Sequence, residues 1–330
     1  MSLPEIKYCP GTLAAGYGTY SRTCLRRMFN GRMVHHMLPY DSPVSNEATD
    51  ELFVENQKHI SISGVQEKFS VLLEKNKLRL IEEGEQGTYI LKPIPHVGKN
   101  LDQMPANEHL TMQIARQVFG IETAENALIF FRNGEPVYIT KRFDVNDDGK
   151  SGKWAAEDFA SLAGRTPQTH GEYYKYAGSY LEFFELMKRH LPAYKLEAPK
   201  LFNLLVFNYL FSNGDAHFKN FSLLETPLGD FRLSPAYDLL NTRVHINDSD
   251  FALDDGLLPK NIAKGKVLDQ FYMLGNVVEL GKIQMDKIFD KLLSNSERVA
   301  ELVGASFLND STQRSYLQAY QTRFKKINRE

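Results

Sequence analysis

Cysteine is nearly missing from this sequence: Cys9 and Cys24 are the only two. That count excludes a disulfide framework and fits a reducing, cytoplasmic compartment. Two thiols do not make a zinc site by themselves. His35 and His36 would have to complete it at a spacing that matches no standard finger, so the cysteines read as small packing residues. Neither sign of charge is in excess: 39 Lys and Arg stand against 41 Asp and Glu, a formal net charge of −2. A uniformly basic nucleic-acid binder is thereby excluded, leaving at most a local patch. No apolar run reaches membrane-spanning length, and the N-terminus lacks the basic-then-apolar order of a secretory leader. Fixed-period repeats and low-complexity segments are missing too.

What is present is ordinary soluble composition, 42% apolar and 24% charged over 330 residues, enough chain for two lobes. Residues 1–55 carry little pattern beyond a short helix near Thr23–Phe29 and an apolar Met37-Leu38 that should pack on later structure. From His59 the texture turns to strands. Phe69–Leu73 pairs with Leu78–Ile81, Thr88–Lys92 follows, and Ala127–Phe131 and Pro136–Thr140 flank Asn133-Gly134, a strong hairpin signal. One helix, Pro105–Phe119, interrupts them, with Leu110, Ile114, Ala115 and Val118 on one face and Gly120 as its stop. After Glu157 the chain is mainly helical, with candidates at Tyr173–His190, Lys195–Phe211, Gly265–Leu280, Ile283–Leu302 and Asp310–Lys325. The pattern predicts an α+β, two-lobed molecule: a β-rich N-lobe over 1–156, an all-helical C-lobe over 157–330, and a cleft between them that suits a nucleotide.

The chemistry concentrates at Asn213-Gly214-Asp215-Ala216-His217-Phe218-Lys219-Asn220. This stretch follows the apolar run Leu201–Phe211 and precedes a short hairpin pattern, Phe221–Leu233, that leads to Ala236-Tyr237-Asp238. Carboxylates at the ends of buried elements need partners or a metal. A carboxylate, an amide five residues on and a later carboxylate are what phosphoryl transfer requires: one acid orients the attacking hydroxyl, and the amide oxygen and second acid hold magnesium. Spacing alone leaves a plainer alternative, an Asp capping a loop and an Asn in a turn. Upstream, Lys92 lies among apolar strand neighbours, where a charge needs a specific anion. Glu108, in the first turn of its helix, serves the helix dipole or pairs with Lys92, or both. Glu67 and Lys68, after the small-residue loop Ser61–Gln66, are compatible with ordinary surface charges.

Taken together these segments resemble the HipA family of bacterial serine/threonine kinase toxins. Ser61-Ile62-Ser63-Gly64-Val65-Gln66-Glu67-Lys68 is similar to the family's phosphate loop. Ile90–Pro93, Asn107-Glu108-His109, Lys141–Asp144 and Glu157-Asp158-Phe159 resemble its lobe and hinge motifs, and Asn213–Asn220 with Ala236–Asp238 its catalytic and metal motifs. The resemblance implies a protein-kinase-like fold, with ATP and Mg2+ as cofactors and Asp215 as the catalytic aspartate. It implies Asn220 and Asp238 as magnesium ligands, Lys92 on the α- or β-phosphate, and Ser63, Gly64, Val65, Gln66, Glu67 and Lys68 around the phosphates. It places Glu157, Asp158 and Phe159 at the adenine through the hinge backbone, and His217 and Tyr237 beside the nucleotide. Glu108 and Lys219 follow as positioning residues. Family members autophosphorylate a loop serine. Ser61 corresponds to it and Ser63 is a second candidate, unless both hydroxyls merely satisfy loop backbone.

One departure marks the chain as resembling the short, HipT-like form of three-gene toxin–antitoxin systems: the long members' extra N-terminal subdomain does not precede the phosphate loop. The expected partners are a DNA-binding, HipB-like antitoxin, a separate small HipS-like protein, and an aminoacyl-tRNA synthetase as substrate. Two other readings remain at this level, a small-molecule kinase sharing the Asp-x4-Asn logic and a co-repressor module that acts with a DNA-binding partner.

Overall fold

The computed structural model describes residues 6–41, 67–96, 98–145 and 152–328. The stretch Ser61–Gln66 of the expected phosphate loop lies outside them. The first half is built on five antiparallel strands, β1 (Phe69–Glu74), β2 (Lys77–Leu80), β3 (Tyr89–Lys92), β4 (Asn126–Phe130) and β5 (Pro136–Lys141), ordered β2-β1-β3-β5-β4. Both hairpins fall where the turn residues put them, with Glu74 opposite Lys77 and Phe130 opposite Pro136.

Strand side chains alternate between two faces, and both faces are covered. Val71, Leu91, Ala127, Ile129, Val137 and Ile139 pack against the N-terminal segment through Cys9, Tyr20, Leu25, Met28, Phe29 and Leu38. That segment contains α1 (Arg22–Phe29), started by Ser21 accepting from the Cys24 amide at 3.2 Å and ended by Asn30 at φ +52°. Leu38 donates its amide to the Phe130 carbonyl at 2.7 Å. The uninformative N-terminus is therefore the outer cover of the sheet. Cys9 and Cys24 are free and buried within it.

Leu128 and Tyr138 face the other way, into a larger core. There α2 (Met104–Gln117), buried on nearly every side, lies between the sheet and the helices that follow. The second half contains α3 (Phe159–Leu162), α4 (Pro167–His170), α5 (Leu181–His190), α6 (Tyr194–Leu210), α7 (Val267–Val277), α8 (Lys282–Leu293), α9 (Ser296–Gly304) and α10 (Asp310–Ile327). It is not purely helical. A three-stranded sheet, β6 (Ala156–Asp158), β7 (Ser222–Glu225) and β8 (Phe231–Leu233), carries the hairpin after Asn220 and gives β6 an open edge.

Two expected helices depart from the pattern most, one shortened and one divided. Tyr173–His190 becomes helical only at Leu181, because Gly178 sits at φ +96° and the Tyr180 and Leu181 amides donate to Gly256 and Leu257 carbonyls instead. Ile283–Leu302 is divided at Ser294-Asn295, where the Asn295 side-chain amide takes the Lys291 carbonyl at 2.9 Å and ends α8.

Candidate active site

Lys92 ends β3, and Glu108 and Asp238 come from two other parts of the chain to meet it. Lys92 Nζ donates to Glu108 Oε1 at 2.6 Å and to Asp238 Oδ1 at 2.5 Å, with the lysine and glutamate side chains each only 4% exposed. The Tyr138 ring, opposite in the β3–β5 register, lies 5.3 Å from the ammonium. Burial works against the charge on Lys92, but the two carboxylates outweigh it and raise its pKa. One ammonium does not neutralise two buried acids equally. Burial of Glu108, with Asp238 adding repulsion, outweighs the attraction of Lys92 and raises Glu108 to about 7. Burial also opposes ionisation of Asp238, yet Lys92 and Lys68 hold it down to about 2. Lys68 Nζ stands 3.9 Å from Asp238 Oδ2 on an otherwise exposed side chain. Glu67, beside it, is half-buried.

The loop after α6 supplies the second part. Its carbonyls hold it in one shape: Asp215 O accepts from His217 N at 2.8 Å and from Asn220 Nδ2 at 2.7 Å. A single 3-10 turn, Phe218–Asn220, thus folds Asn220 back under Asp215, which is why a five-residue separation brings them together. With the amide nitrogen committed, the Asn220 oxygen is the end left for a cation. Asp238 adopts φ +55°, a conformation Asp tolerates better than most residues. Asn213 links the two segments, donating to Asn208 Oδ1 at 3.0 Å and to the Asp238 carbonyl at 3.4 Å. His217 is buried, its Nε2 3.7 Å from Asp215 Oδ1, and burial lowers its pKa against the pull of Asp215, favouring the neutral ring.

Tyr237 spends its hydroxyl proton on the Lys219 carbonyl at 3.1 Å, so Ser222 Oγ donates to it at 2.5 Å. Its ring packs 5.7 Å from Phe143. Lys219 itself is exposed, and its backbone is the part that is held. The hinge differs from expectation. Phe159 is fully buried against Phe183 and Phe221, and its amide donates to the Phe221 carbonyl at 2.9 Å. Glu157 is opposite Leu223 in the same hydrogen-bonded phase. Antiparallel pairing alternates, so the groups turned to the open edge of β6 belong to Ala156 and Asp158. The Asp158 side chain caps α3 by accepting from Ser161 N at 2.9 Å.

Several residues escaped the sequence reading. Tyr176 donates its hydroxyl to Asp215 Oδ1 at 3.1 Å. Thr242 accepts the Gly214 amide at 3.0 Å and is bonded to Asp248, whose carboxylate lies against Gly214. Positive-φ glycines at 171 and 178, which break helical periodicity around Tyr176, were the one local signal that this segment is a loop.

A curled sheet backed by one central helix, joined to a helical half with the acids at the junction, is the architecture of kinase-like proteins. The chain belongs to the family of the HipA-like C-terminal domain, whose model matches residues 60–300. A Haemophilus influenzae protein named "Putative kinase" is 24% identical over 87% of this chain and 87% of its own length. Two Sinorhizobium fredii proteins, "Putative kinase Y4mE" and "Putative kinase Y4dM", are each 31% identical over 56% and 66% of this chain; the chain spans only 42% and 54% of their lengths. Among solved structures it is similar to HipA of Shewanella oneidensis in a complex with HipB and operator DNA. That match has a TM-score of 0.64 and 20% identity, covering 83% of this chain and 65% of that one. The Helicobacter pylori proinflammatory kinase CtkA matches with a TM-score of 0.50 and 14% identity, over 78% and 93% of the two chains.

Proposed function

We propose that this chain is an ATP-dependent serine/threonine protein kinase and the toxin of a bacterial toxin–antitoxin system. Its lobes are 1–156 and 157–330. The observation that carries the reading is the Lys92 ammonium gripping both Glu108 and Asp238, beside a loop that pairs Asp215 with Asn220. An anion-binding lysine locked by an acid from the central helix, facing two acids and an amide, has the donor set that phosphoryl transfer uses.

The metal-binding residues fit magnesium. Asn220 and Asp238 offer hard oxygens, and so small a protein share suits an ion that keeps waters and phosphate oxygens as its other ligands. Asn220 and Asp238 would hold magnesium there, and the ion would supply neutralisation of phosphate charge. Asp215 takes the proton of the attacking hydroxyl, Lys92 holds the inner phosphates, and the buried walls around them keep water away from the transferred group. Backbone groups of Ala156 and Asp158 at the edge of β6 are the available contacts for a base. Glu157 and Phe159 then support that edge from behind.

The finer reading follows the family. A loop serine, Ser61 or Ser63, receives phosphate in autophosphorylation; a HipB-like DNA-binding protein is the antitoxin, as HipB accompanies the Shewanella HipA; a separate HipS-like protein is a further partner; and an aminoacyl-tRNA synthetase is the target. The test is intact mass after incubation with ATP and magnesium, with the added phosphate mapped. Wild type gains phosphate, and Asp215→Gln gains none while still binding ATP. Equal labelling of both proteins rejects the assignment. Turnover of a sugar or lipid hydroxyl in place of a protein one favours a small-molecule kinase.

A further inference from the structure

The segment 171–180 is bonded down onto the loop that carries Asp215. Phe218 N donates to the Lys175 carbonyl at 3.1 Å, and Asp254 N donates to the Tyr176 carbonyl at 3.0 Å. The Arg165 guanidinium lies 4.0 Å from the Phe218 ring centroid, closing the same contact from the other end. These bonds fix two side chains over the site. Tyr176 is buried, its hydroxyl on Asp215 Oδ1 at 3.1 Å and its ring edge-on to His217 at 5.1 Å. Lys175 is half-buried, its ammonium 5.2 Å from the Tyr176 ring centroid.

Lys175 has no carboxylate within ion-pair distance among the described residues. Burial disfavours its charge; Asp215 attracts it, while Lys219 and Lys68 repel it. Lys175 thus feels two other cations, Lys219 and Lys68, as well as Asp215, a surplus of positive charge while Lys92 is already committed to two acids. Such a surplus is satisfied by a polyanion. Lys68 and Lys92 gather at Asp238, whereas Lys175 lies on the Asp215 side, where the hydroxyl attacks.

We propose that Lys175 binds the terminal phosphate of the nucleoside triphosphate and that Tyr176 is a positioning residue for Asp215. The inference rests on the phosphotransfer reading above. In that step the substrate oxygen bonds to the γ-phosphorus, the bond from that phosphorus to the β,γ-bridging oxygen breaks, the hydroxyl proton goes to Asp215, and ADP leaves with the bond's electron pair. Lys175 spreads the charge of the moving group.

Three measurements test it on the full chain. With ATP or ADP as probe and magnesium present, Lys175→Met binds ATP about tenfold more weakly and ADP as wild type does, while Lys175→Arg keeps the ATP preference. Tyr176→Phe lowers kcat for ADP formation about tenfold with KM for ATP unchanged. The wild-type protein treated with an acyl phosphate of ATP, which hands its acyl group to a lysine nitrogen and releases ATP, carries the label on Lys175. This last readout needs no variant to fold. An unchanged ATP-to-ADP ratio in Lys175→Met, or label on Lys68 and Lys92 with none on Lys175, overturns the inference and leaves the kinase reading standing. A wild type that binds no ATP sinks both.

Discussion

At the scale of single residues, Gly214 shows how little room the site has. A Cβ at this position would overlap the Asp248 carboxylate, which is itself held by Thr242 Oγ1 and by Ser249 N at 2.8 Å. Burial raises the pKa of Asp248, with Asp215 adding to the effect, so the side chain is in the electrostatic neighbourhood of the expected base. Gly214→Ala should therefore displace either that carboxylate or the backbone of Asp215. The expected result is at least a tenfold loss of phosphotransfer, since small misplacements of reacting groups are costly. Adding Asp248→Ala removes the clashing atoms and should restore much of the rate. Steady-state kinetics on the two single variants and the double variant gives the coupling, and strictly additive losses would count against this explanation. The residue types were visible in the sequence, Asp215, Asn220, Asp238 and Lys92 among them. Tyr176, Thr242 and Asp248 were not, because their partners are 39, 28 and 34 residues distant, the last measured from Gly214, and nothing in local pattern reports such contacts.

At the scale of elements, α10 braces the loop that follows Asp238. Its Arg323 is wholly buried, lies 4.8 Å from the Tyr209 ring centroid, bonds the Ser249 carbonyl at 3.1 Å and pairs with Asp250. Asp250 is also reached by Lys326 at 3.1 Å and Arg243 at 3.4 Å, so it keeps cationic company without Arg323. The main loss in Arg323→Met is then the bonds to Ser249 and Ser212 and the fixed planar stack, about 2–3 kcal/mol. Denaturant unfolding measures it, and hydrogen exchange should show amides of 241–250 opening first. The sequence announced α10 as the helical candidate Asp310–Lys325, and the structure adds its cap, Asn309, whose side chain accepts from Thr312 N at 2.9 Å. What it could not announce is that an arginine on that helix points inward. Likewise the division of Ile283–Leu302 turned on one side-chain bond from Asn295, a competition that apolar spacing does not register.

At the scale of the whole molecule, the two cores meet through α2, and three buried histidines sit near that junction. His109 Nε2 donates to the Gly11 carbonyl at 3.4 Å, His245 Nδ1 donates to the Lys99 carbonyl at 2.9 Å, and His217 faces Asp215. Burial lowers all three, His109 to about 4. A histidine whose folded pKa lies below its unfolded value adds stability that is complete above about pH 6.5 and is lost as pH falls towards the folded value. For His109 that window runs from about 6.5 down to about 4 and amounts to about 3 kcal/mol. Glu108 works in the opposite sense: its raised pKa favours folding at low pH and the contribution fades as pH rises towards 7. Stability measured by urea unfolding should fall between pH 6.5 and 4 in wild type, and the slope should lessen in His109→Gln. An equal slope in both would remove His109 from the account. No helix among the described residues is long and apolar enough to cross a membrane.

The order of the main strands and helices, the hairpin turns, and the candidate acids, amide and lysine were legible in the sequence, the last through the resemblance of several motifs in order. The elements depend on neighbours within a few positions: side-chain alternation, helical period and Asn-Gly at a turn. Tertiary structure alone decided that residues 6–41 would roof the sheet and that β6 would turn Ala156 and Asp158 to its open edge. It also decided that Lys92 would divide its charge between Glu108 and Asp238, 146 residues away from it in the chain. Those outcomes depend on which surfaces remain to be covered and which charges remain to be matched once the elements pack, and no local stretch of sequence carries that information.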